Sequence, residues 1–408
     1  MRKNLKSQIS NLKSYHMKKY TNFATQAIRT QQERAFREHS VPLYLTSSFT
    51  FDDAEQARAL FADEYVDNIY SRFSNPNVNE FVEKMCVLEG TEDGFGTATG
   101  MAAVFASMMP FLNAGDHILA SSALFASSTR IIKDYLPKWN IEYSFFDISQ
   151  PETWESQIRP NTKMLFAETP SNPGLVLIDL AHLCALGKKH NILVNVDNCF
   201  ATPYLQTPAK YGADIITHSA TKFIDGQGRV CGGIVLGNKE LIKEVRAFCR
   251  QTGPAMSPFN AWILSKSLET LHVRMDRHCE NALALAQWLE QHEEIQKTIY
   301  PFLPSHPQHE LAISQMSQGG GVVTFEVKGG IDRGRKFLDS LEMFSHTANL
   351  GDCRTIATHP ASTTHSKIDE KVREAAGIFG GTVRVSVGLE HIDDIKADIQ
   401  QALEKSKI

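Results

Sequence analysis

The stretch Thr217-His218-Ser219-Ala220-Thr221-Lys222 places one amine at the end of an apolar strand, with two hydroxyls beside it. A lysine is a nucleophile at neutral pH only where its surroundings favour the free amine. Neighbouring hydroxyls can bind a phosphate without adding a competing charge. Together these groups suit a Schiff base with a phosphorylated aldehyde, and pyridoxal 5'-phosphate (PLP) is the cofactor of that kind. Most lysines after a strand are solvated surface charges, so this reading depends on partners elsewhere in the chain.

Several residues of the right type occur. Asp197 closes the apolar run Val194-Asn195-Val196, where an unpaired carboxylate would be costly. A protonated pyridine nitrogen would be its cation and would keep the ring an electron sink; an N-cap or turn aspartate is the commoner use. The glycine-rich segment Gly94 to Met101 precedes the helical Ala102-Ala103-Val104-Phe105. The N–H groups of Gly100 and Met101 would then face outward at a helix start, a place that binds phosphate. The segment misses Gly-x-Gly-x-x-Gly because Thr99 replaces the third glycine, and a tight strand-to-helix turn accounts for it equally well.

Asn172 follows a strand ending at Glu168, and Phe125, just past another strand, could stack on a ring or belong to the core. Tyr70 and Arg72 sit in a polar, turn-prone stretch where an arginine could clamp phosphate or simply be solvated. Arg384 interrupts the β-branched strand Val383-Arg384-Val385. A substrate carboxylate would balance it, as would a structural acid. His346, His359 and His365 lack zinc-site spacing and are taken as structural or substrate-proximal, so no metal is expected.

The elements that must hold these groups are legible between about residues 80 and 240. Nearly apolar runs His117–Ser122, Ile141–Ile148, Lys163–Glu168, Ile192–Asn198, Asp214–Ser219 and Val230–Leu236 alternate with helical segments, which implies a parallel sheet with crossover helices. Ligands of such sheets sit beyond the carboxyl ends of the strands. Asn172, Asp197, Ser219 and Lys222 all fall there. Pro258 to Glu294 reads as one long helix. Gly320–Val327, Met343–Thr347 and Thr382–Val387 supply a smaller strand set, so a second, α+β domain is expected.

With 408 residues, 42% of them hydrophobic, the chain is an ordinary globular protein of two or three units. A net charge of −4 gives no reason to expect nucleic acid or an anionic membrane as partner. The seven cysteines are scattered and never spaced Cys-x-x-Cys, which fits reduced thiols in a cytoplasm. Met101 to Leu112, the longest apolar stretch, is shorter than the ~20 residues that span a bilayer. Basic residues dominate the N-terminus and no acid precedes Glu33. Without an apolar h-region this reads as a disordered extension, with Met17 a candidate native start.

Jointly the motifs are similar to those of the Cys/Met metabolism PLP-dependent family, the cystathionine γ-synthase group. The resemblance runs from about residue 22 to 405. It rests on Tyr70-Ser71-Arg72, Thr99-Gly100-Met101-Ala102-Ala103, Glu168-Thr169-Pro170-Ser171-Asn172-Pro173, Asp197-Asn198, Ser219-Ala220-Thr221-Lys222, Leu271-His272-Val273-Arg274-Met275, His359-Pro360-Ala361-Ser362 and Arg384-Val385-Ser386-Val387-Gly388. It implies an α/β fold of the type I PLP-dependent, aspartate aminotransferase-like kind, with a mostly parallel seven-stranded sheet and a smaller C-terminal α+β domain. The implied division is an N-terminal extension and arm at 1–65, a PLP-binding domain at 66–262 and a small domain at 263–408.

By the same resemblance Lys222 forms the internal aldimine, Asp197 pairs with the ring nitrogen and Asn172 contacts the ring hydroxyl. Gly100, Met101, Ser219 and Thr221 hold the phosphate, and Phe125 stacks on the ring. Tyr70 and Arg72 reach a neighbouring subunit's phosphate site, in a homotetramer built from catalytic dimers, and Tyr70 assists in catalysis. Arg384, helped by Asn349, takes the substrate carboxylate. Phe125, where lyases carry tyrosine, and Asp225-Gly226-Gln227-Gly228-Arg229 look like the O-succinylhomoserine sulfhydrylase branch. That branch replaces the acyl group of an acyl-homoserine with sulfide to give homocysteine for methionine biosynthesis. O-Acetylhomoserine sulfhydrylase, cystathionine γ-synthase and methionine γ-lyase are the rivals, and Arg229 is either a partner for a distal succinyl carboxylate or a structural cation.

Overall fold

A computed structural model describes residues 20–407 except 33, 35, 63, 65, 66, 364, 365, 367, 368 and 376. The basic N-terminal stretch with Met17, and His365, lie outside the described residues.

The apolar runs form a seven-stranded sheet in the order β1-β7-β6-β5-β4-β2-β3. Its strands are β1 Asp93–Thr97, β2 His117–Ser121, β3 Glu142–Phe146, β4 Thr162–Glu168, β5 Leu193–Asp197, β6 Ile215–Ser219 and β7 Gly233–Gly237. From β6 through β3 the pairs are parallel. Only β7 runs antiparallel, between β1 and β6. Helices cover both faces, which is why β2 and β7 are buried at every residue and read as unbroken apolar runs. One face packs on Phe81, Met85, Phe223, Leu264 and Leu268; the other packs on Val104, Met108, Ile132 and Val245.

A second sheet, order β10-β11-β12-β9-β8, comprises β8 Ile295–Ile299, β9 Val322–Val327, β10 Ser345–His346, β11 Ile356–Thr358 and β12 Thr382–Ser386. The helix Leu271–Glu290 joins the two cores. Its Leu271, Met275 and Cys279 pack with the large sheet, while Leu285, Ala286 and Leu289 pack under the small one. With Ala282 between the two groups, these buried residues recur at three- and four-residue spacing, which makes both contacts possible from a single helix.

Besides the antiparallel β7 and the short β11, three features differ from the sequence reading. Asp93–Thr97, taken as part of a glycine-rich turn, is a strand. A Cβ at Gly94 would lie 2.8 Å from Leu236 and one at Gly96 3.2 Å from Val78. The glycines let a helix and the neighbouring strand approach the backbone, so the strand lacks the side chains that mark one. The edge strand β8 was missed because its Gln296 and Lys297 face solvent. Pro258 to Glu294 is two helices, Pro258–Leu268 and Leu271–Glu290. The Ser267 carbonyl accepts from Arg274 Nη2 at 3.0 Å and from the Thr270 N–H at 3.2 Å, and this replaces the bond that would continue the first helix.

Candidate active site

The carboxyl ends of β4, β5 and β6 form the floor of the site. Glu168 and Asp197, the last residues of β4 and β5, are direct partners in the parallel register, and Asp197 is level with Thr217 of β6. Both carboxyl groups are buried. Asp197 accepts a turn-closing bond from the Cys199 N–H at 3.1 Å and forms no ion pair among the described residues. Burial pushes its pKa up to about 6, against the pull of the nearby His218 ring. It is therefore an acid whose ionised form needs a cation brought from outside. Burial, and then Asp197, hold Glu168 well above the usual carboxylate range.

Three residues past the end of β6, Lys222 is held by a tight turn with bonds Lys222 N to Ser219 O and Gly226 N to Lys222 O. Its Nζ lies 2.6 Å from Asn349 Oδ1. Burial, the largest influence, lowers its pKa below the ordinary lysine value, and Arg384 acts in the same direction. The free amine that nucleophilic chemistry requires is thereby favoured. The loop carrying Asn349 reaches Lys222 because Gly351 has φ +79°, and a Cβ there would lie 2.5 Å from Phe223 N.

On the other side of Ser219, the helix Gly100–Ala106 begins at Thr99, whose hydroxyl accepts from Ala102 N at 3.1 Å. A Cβ on Gly100 would stand 2.5 Å from the Ser219 Cβ. Only glycine lets this helix start meet the end of β6. The first-turn N–H groups of Gly100 and Met101 and the Ser219 hydroxyl thus share one corner, a donor set suited to phosphate. The Thr221 hydroxyl is engaged by the backbone of Gly232, at 3.0 Å from its N and 3.2 Å from its O.

Arg384 on β12 closes the site from the small sheet. It is 6% exposed, donates from Nη1 to Asn172 Oδ1 at 3.1 Å and from Nη2 to Asn349 O at 3.0 Å, and its Nε has no partner. No carboxylate pairs with it among the described residues, and burial pulls its pKa down to about 10. A bidentate cation with a spare donor fits an incoming carboxylate. Lys222, Asn349, Arg384 and Asn172 thus form one hydrogen-bonded chain. Phe125 stands on the rim. Its N–H donates to Glu168 Oε2 at 2.7 Å, and the residue is 41% exposed, unlike a core phenylalanine.

Tyr70 and Arg72 are not brought to this cluster. Arg72 donates to the Arg250 carbonyl, and its guanidinium sits 4.6 Å from the Phe73 ring centre and 5.4 Å from that of Tyr70. Arg72 lines a separate cavity of about 820 Å³ with Phe73, Phe95 and Arg246. Arg229 is committed to scaffolding: its Nε is 3.0 Å from Asp225 Oδ1 and its Nη2 bonds Ser267 Oγ. Both ring nitrogens of His359 are engaged, by Ser362 Oγ and Gly380 O. Glu168 and the link from Asn349 to Lys222 were not anticipated. Glu168 carried the same signal as Asp197, an acid ending an apolar run. The bond between residues 222 and 349 has no local signature.

The model of the Cys/Met metabolism PLP-dependent enzymes matches residues 24–404. The chain belongs to this family. One relative, the O-succinylhomoserine sulfhydrylase of Pseudomonas aeruginosa, is 47% identical over 93% of this chain and 95% of its own. An L-methionine gamma-lyase of Porphyromonas gingivalis is 41% identical over 94% of this chain and 97% of its own. A crystal structure from Campylobacter jejuni, assigned as an O-acetylhomoserine (thiol)-lyase, superimposes with a TM-score of 0.91 at 33% identity, covering 94% of this chain and 100% of that one. That protein carries a pyridoxyl-lysine phosphate. PLP is the cofactor of this family, and the residues here fit it: a lysine biased to the free amine, a buried acid without a cation, and a helix start pressed against a serine. Among the described residues no helix is long and apolar enough to cross a membrane.

Proposed function

We propose that the protein is an O-succinylhomoserine sulfhydrylase, converting O-succinylhomoserine and hydrogen sulfide to homocysteine and succinate. The observation that carries this reading is the greater identity to the sulfhydrylase, 47% over nearly the whole chain against 41% for the lyase. PLP, when bound, supplies an electron sink for the substrate's Cα. Arg384 binds the substrate α-carboxylate, and the Asn349 carbonyl and Asn172 hold the guanidinium in place. Lys222, steered by Asn349 Oδ1, takes protons from Cα and Cβ and returns them as succinate leaves Cγ and sulfide enters there. Asp197 holds the ring nitrogen, and Asn172 the ring hydroxyl. Gly100, Met101, Ser219 and Thr221 bind the phosphate. Phe125 stacks on the ring and offers no proton.

We further propose that Tyr70 and Arg72 complete the phosphate site of a second copy within a cytoplasmic homotetramer, with Tyr70 assisting proton transfer there. This accounts for their distance from Lys222 in the same chain. Mixing Y70F with K222A chains tests it: hybrid dimers that regain part of the activity support a shared site, and none regained with mixed dimers formed refutes it. The 41% identity to a lyase keeps methionine γ-elimination as the second reading. Incubating the enzyme with O-succinylhomoserine, with and without sulfide, separates the two. Homocysteine and succinate in equal amounts support replacement; 2-oxobutanoate and ammonia as main products with sulfide present refute it.

A further inference from the structure

Two acids end adjacent parallel strands at the centre of the site, and only one can face the ring nitrogen. Glu168 and Asp197 are register partners, both buried, and neither forms an ion pair among the described residues. Glu168 also does something Asp197 does not. Its Oε2 accepts the Phe125 N–H at 2.7 Å, and its carboxyl group accepts from the backbone of Asn172. Phe125 and Asn172 come from different connections, after β2 and after β4, and Asn172 in turn fixes Arg384 through the 3.1 Å bond to its Nη1. One carboxyl group therefore ties together the residues that flank the cofactor and steady the substrate-binding arginine.

We propose that Glu168 is a positioning residue that stays protonated and neutral, keeping the shared proton of the pair so that Asp197 alone is the anion facing the cofactor. Charge balance requires this. PLP brings one ring cation to the pair. Two carboxylates side by side in a low-dielectric floor would leave one negative charge uncompensated, which is costly. The other titratable groups around the pair are Cys199 on the turn after β5, His218 on β6 and Lys222 beyond it, and none is bonded to Glu168. His218 is itself held by Glu89 at 2.9 Å. Asp197 is the one that pairs with the ring cation, so the proton stays on Glu168, whose carboxyl group burial and then the Asp197 charge raise against the opposing pull of its backbone N–H partners. The assignment rests on PLP binding at Lys222 and is independent of which acyl ester is used.

The test is infrared difference spectroscopy, wild type minus E168Q, on the protein both stripped of and loaded with PLP. The stretch of a neutral carboxyl group, sensitive to deuterium exchange, is expected in the wild type in both states and absent from E168Q. A difference spectrum containing only carboxylate bands overturns the proposal. The positioning role is read separately. E168A is expected to weaken PLP binding at least ~10-fold and raise KM for the amino-acid substrate, with E168Q, whose carbonyl can still accept, recovering most of both losses. Equal losses in the two variants would contradict it. Should E168A not fold, the pH midpoint of the bound cofactor's visible absorbance in E168Q decides. A displacement under about half a unit fits exchange of one neutral group for another, and one above about a unit means that an anion was removed.

Discussion

Two buried arginines, Arg274 in the frame and Arg384 in the site, have the same burial and opposite surroundings. Arg274 is 7% exposed and Arg384 6%. Burial pulls each down to about 10. Arg274 donates to the carbonyls of Phe223, Ile224 and Ser267 at 2.6, 3.1 and 3.0 Å and to Thr270 Oγ1 at 3.4 Å, so each guanidinium nitrogen is used. Arg384 has two bonds and an idle Nε. Burial alone does not distinguish a strut from a ligand site, whereas the satisfaction of donors does. The same contrast separates Arg229, closed on Asp225, from Asp197, which lacks a cation.

The comparison can be broken by removing members of each class. The largest effect is expected for K222A, which should lower kcat by at least ~10³-fold, since both nucleophile and proton carrier go. Retention of more than a few per cent of activity would exclude Lys222 from the chemistry. R384M should lower kcat/KM for the amino-acid substrate by roughly 100-fold, about 3 kcal/mol for a lost buried carboxylate pair, mostly through KM. Its apo-protein Tm should stay level or rise, because an uncompensated cation has been taken out. R274M should do the reverse. It leaves the Phe223 and Ile224 carbonyls unpartnered, costs about 2–4 kcal/mol and lowers Tm by several degrees, with a smaller change in KM. Similar Tm losses in both variants would erase the distinction.

Asp197 gives a pH-dependent version of the test. Its folded pKa, raised from 3.8 to about 6, means the native apo-protein binds more protons than the unfolded chain between those values. Its contribution to stability is therefore fully present below about pH 4 and lost as pH rises through about 6. D197N removes the charge, so above pH 6 the apo-variant should melt higher than the apo-wild type. Added PLP should stabilise the wild type more than the variant. A lower Tm for apo-D197N would mean that Asp197 already has a cation in the frame. The smallest effect is expected for F125Y. A hydroxyl at the ring face adds an acid–base group, so PLP is retained and the ratio of 2-oxobutanoate to homocysteine rises a few-fold. An unchanged ratio would remove Phe125 from the choice between elimination and replacement.

What could be read from the chain follows the same physical line. Lys222, Asp197 and Arg384 were legible because each interrupts or ends an apolar run, where a charge must have a reason. The large sheet was legible because strands covered on both faces are apolar throughout. β1 was hidden because Gly94 and Gly96 remove the side chains that identify a strand, and the break after Leu268 because the side chain of Arg274 takes the carbonyl of Ser267, seven residues upstream, at the helix end. Glu168 was in view as a strand end, but its grip on Phe125 and Asn172 is tertiary. The separation of Tyr70 and Arg72 from Lys222 is likewise a property of the folded chain.

The central claim is that this arrangement exchanges an acyl group for sulfide at Cγ. The most direct measurement is a steady-state comparison of O-succinylhomoserine, O-acetylhomoserine and methionine, each with sulfide, following homocysteine and 2-oxobutanoate together. The account predicts the highest kcat/KM for the succinyl ester, with homocysteine as main product. Faster turnover of methionine, with 2-oxobutanoate dominant whatever the sulfide concentration, would contradict it.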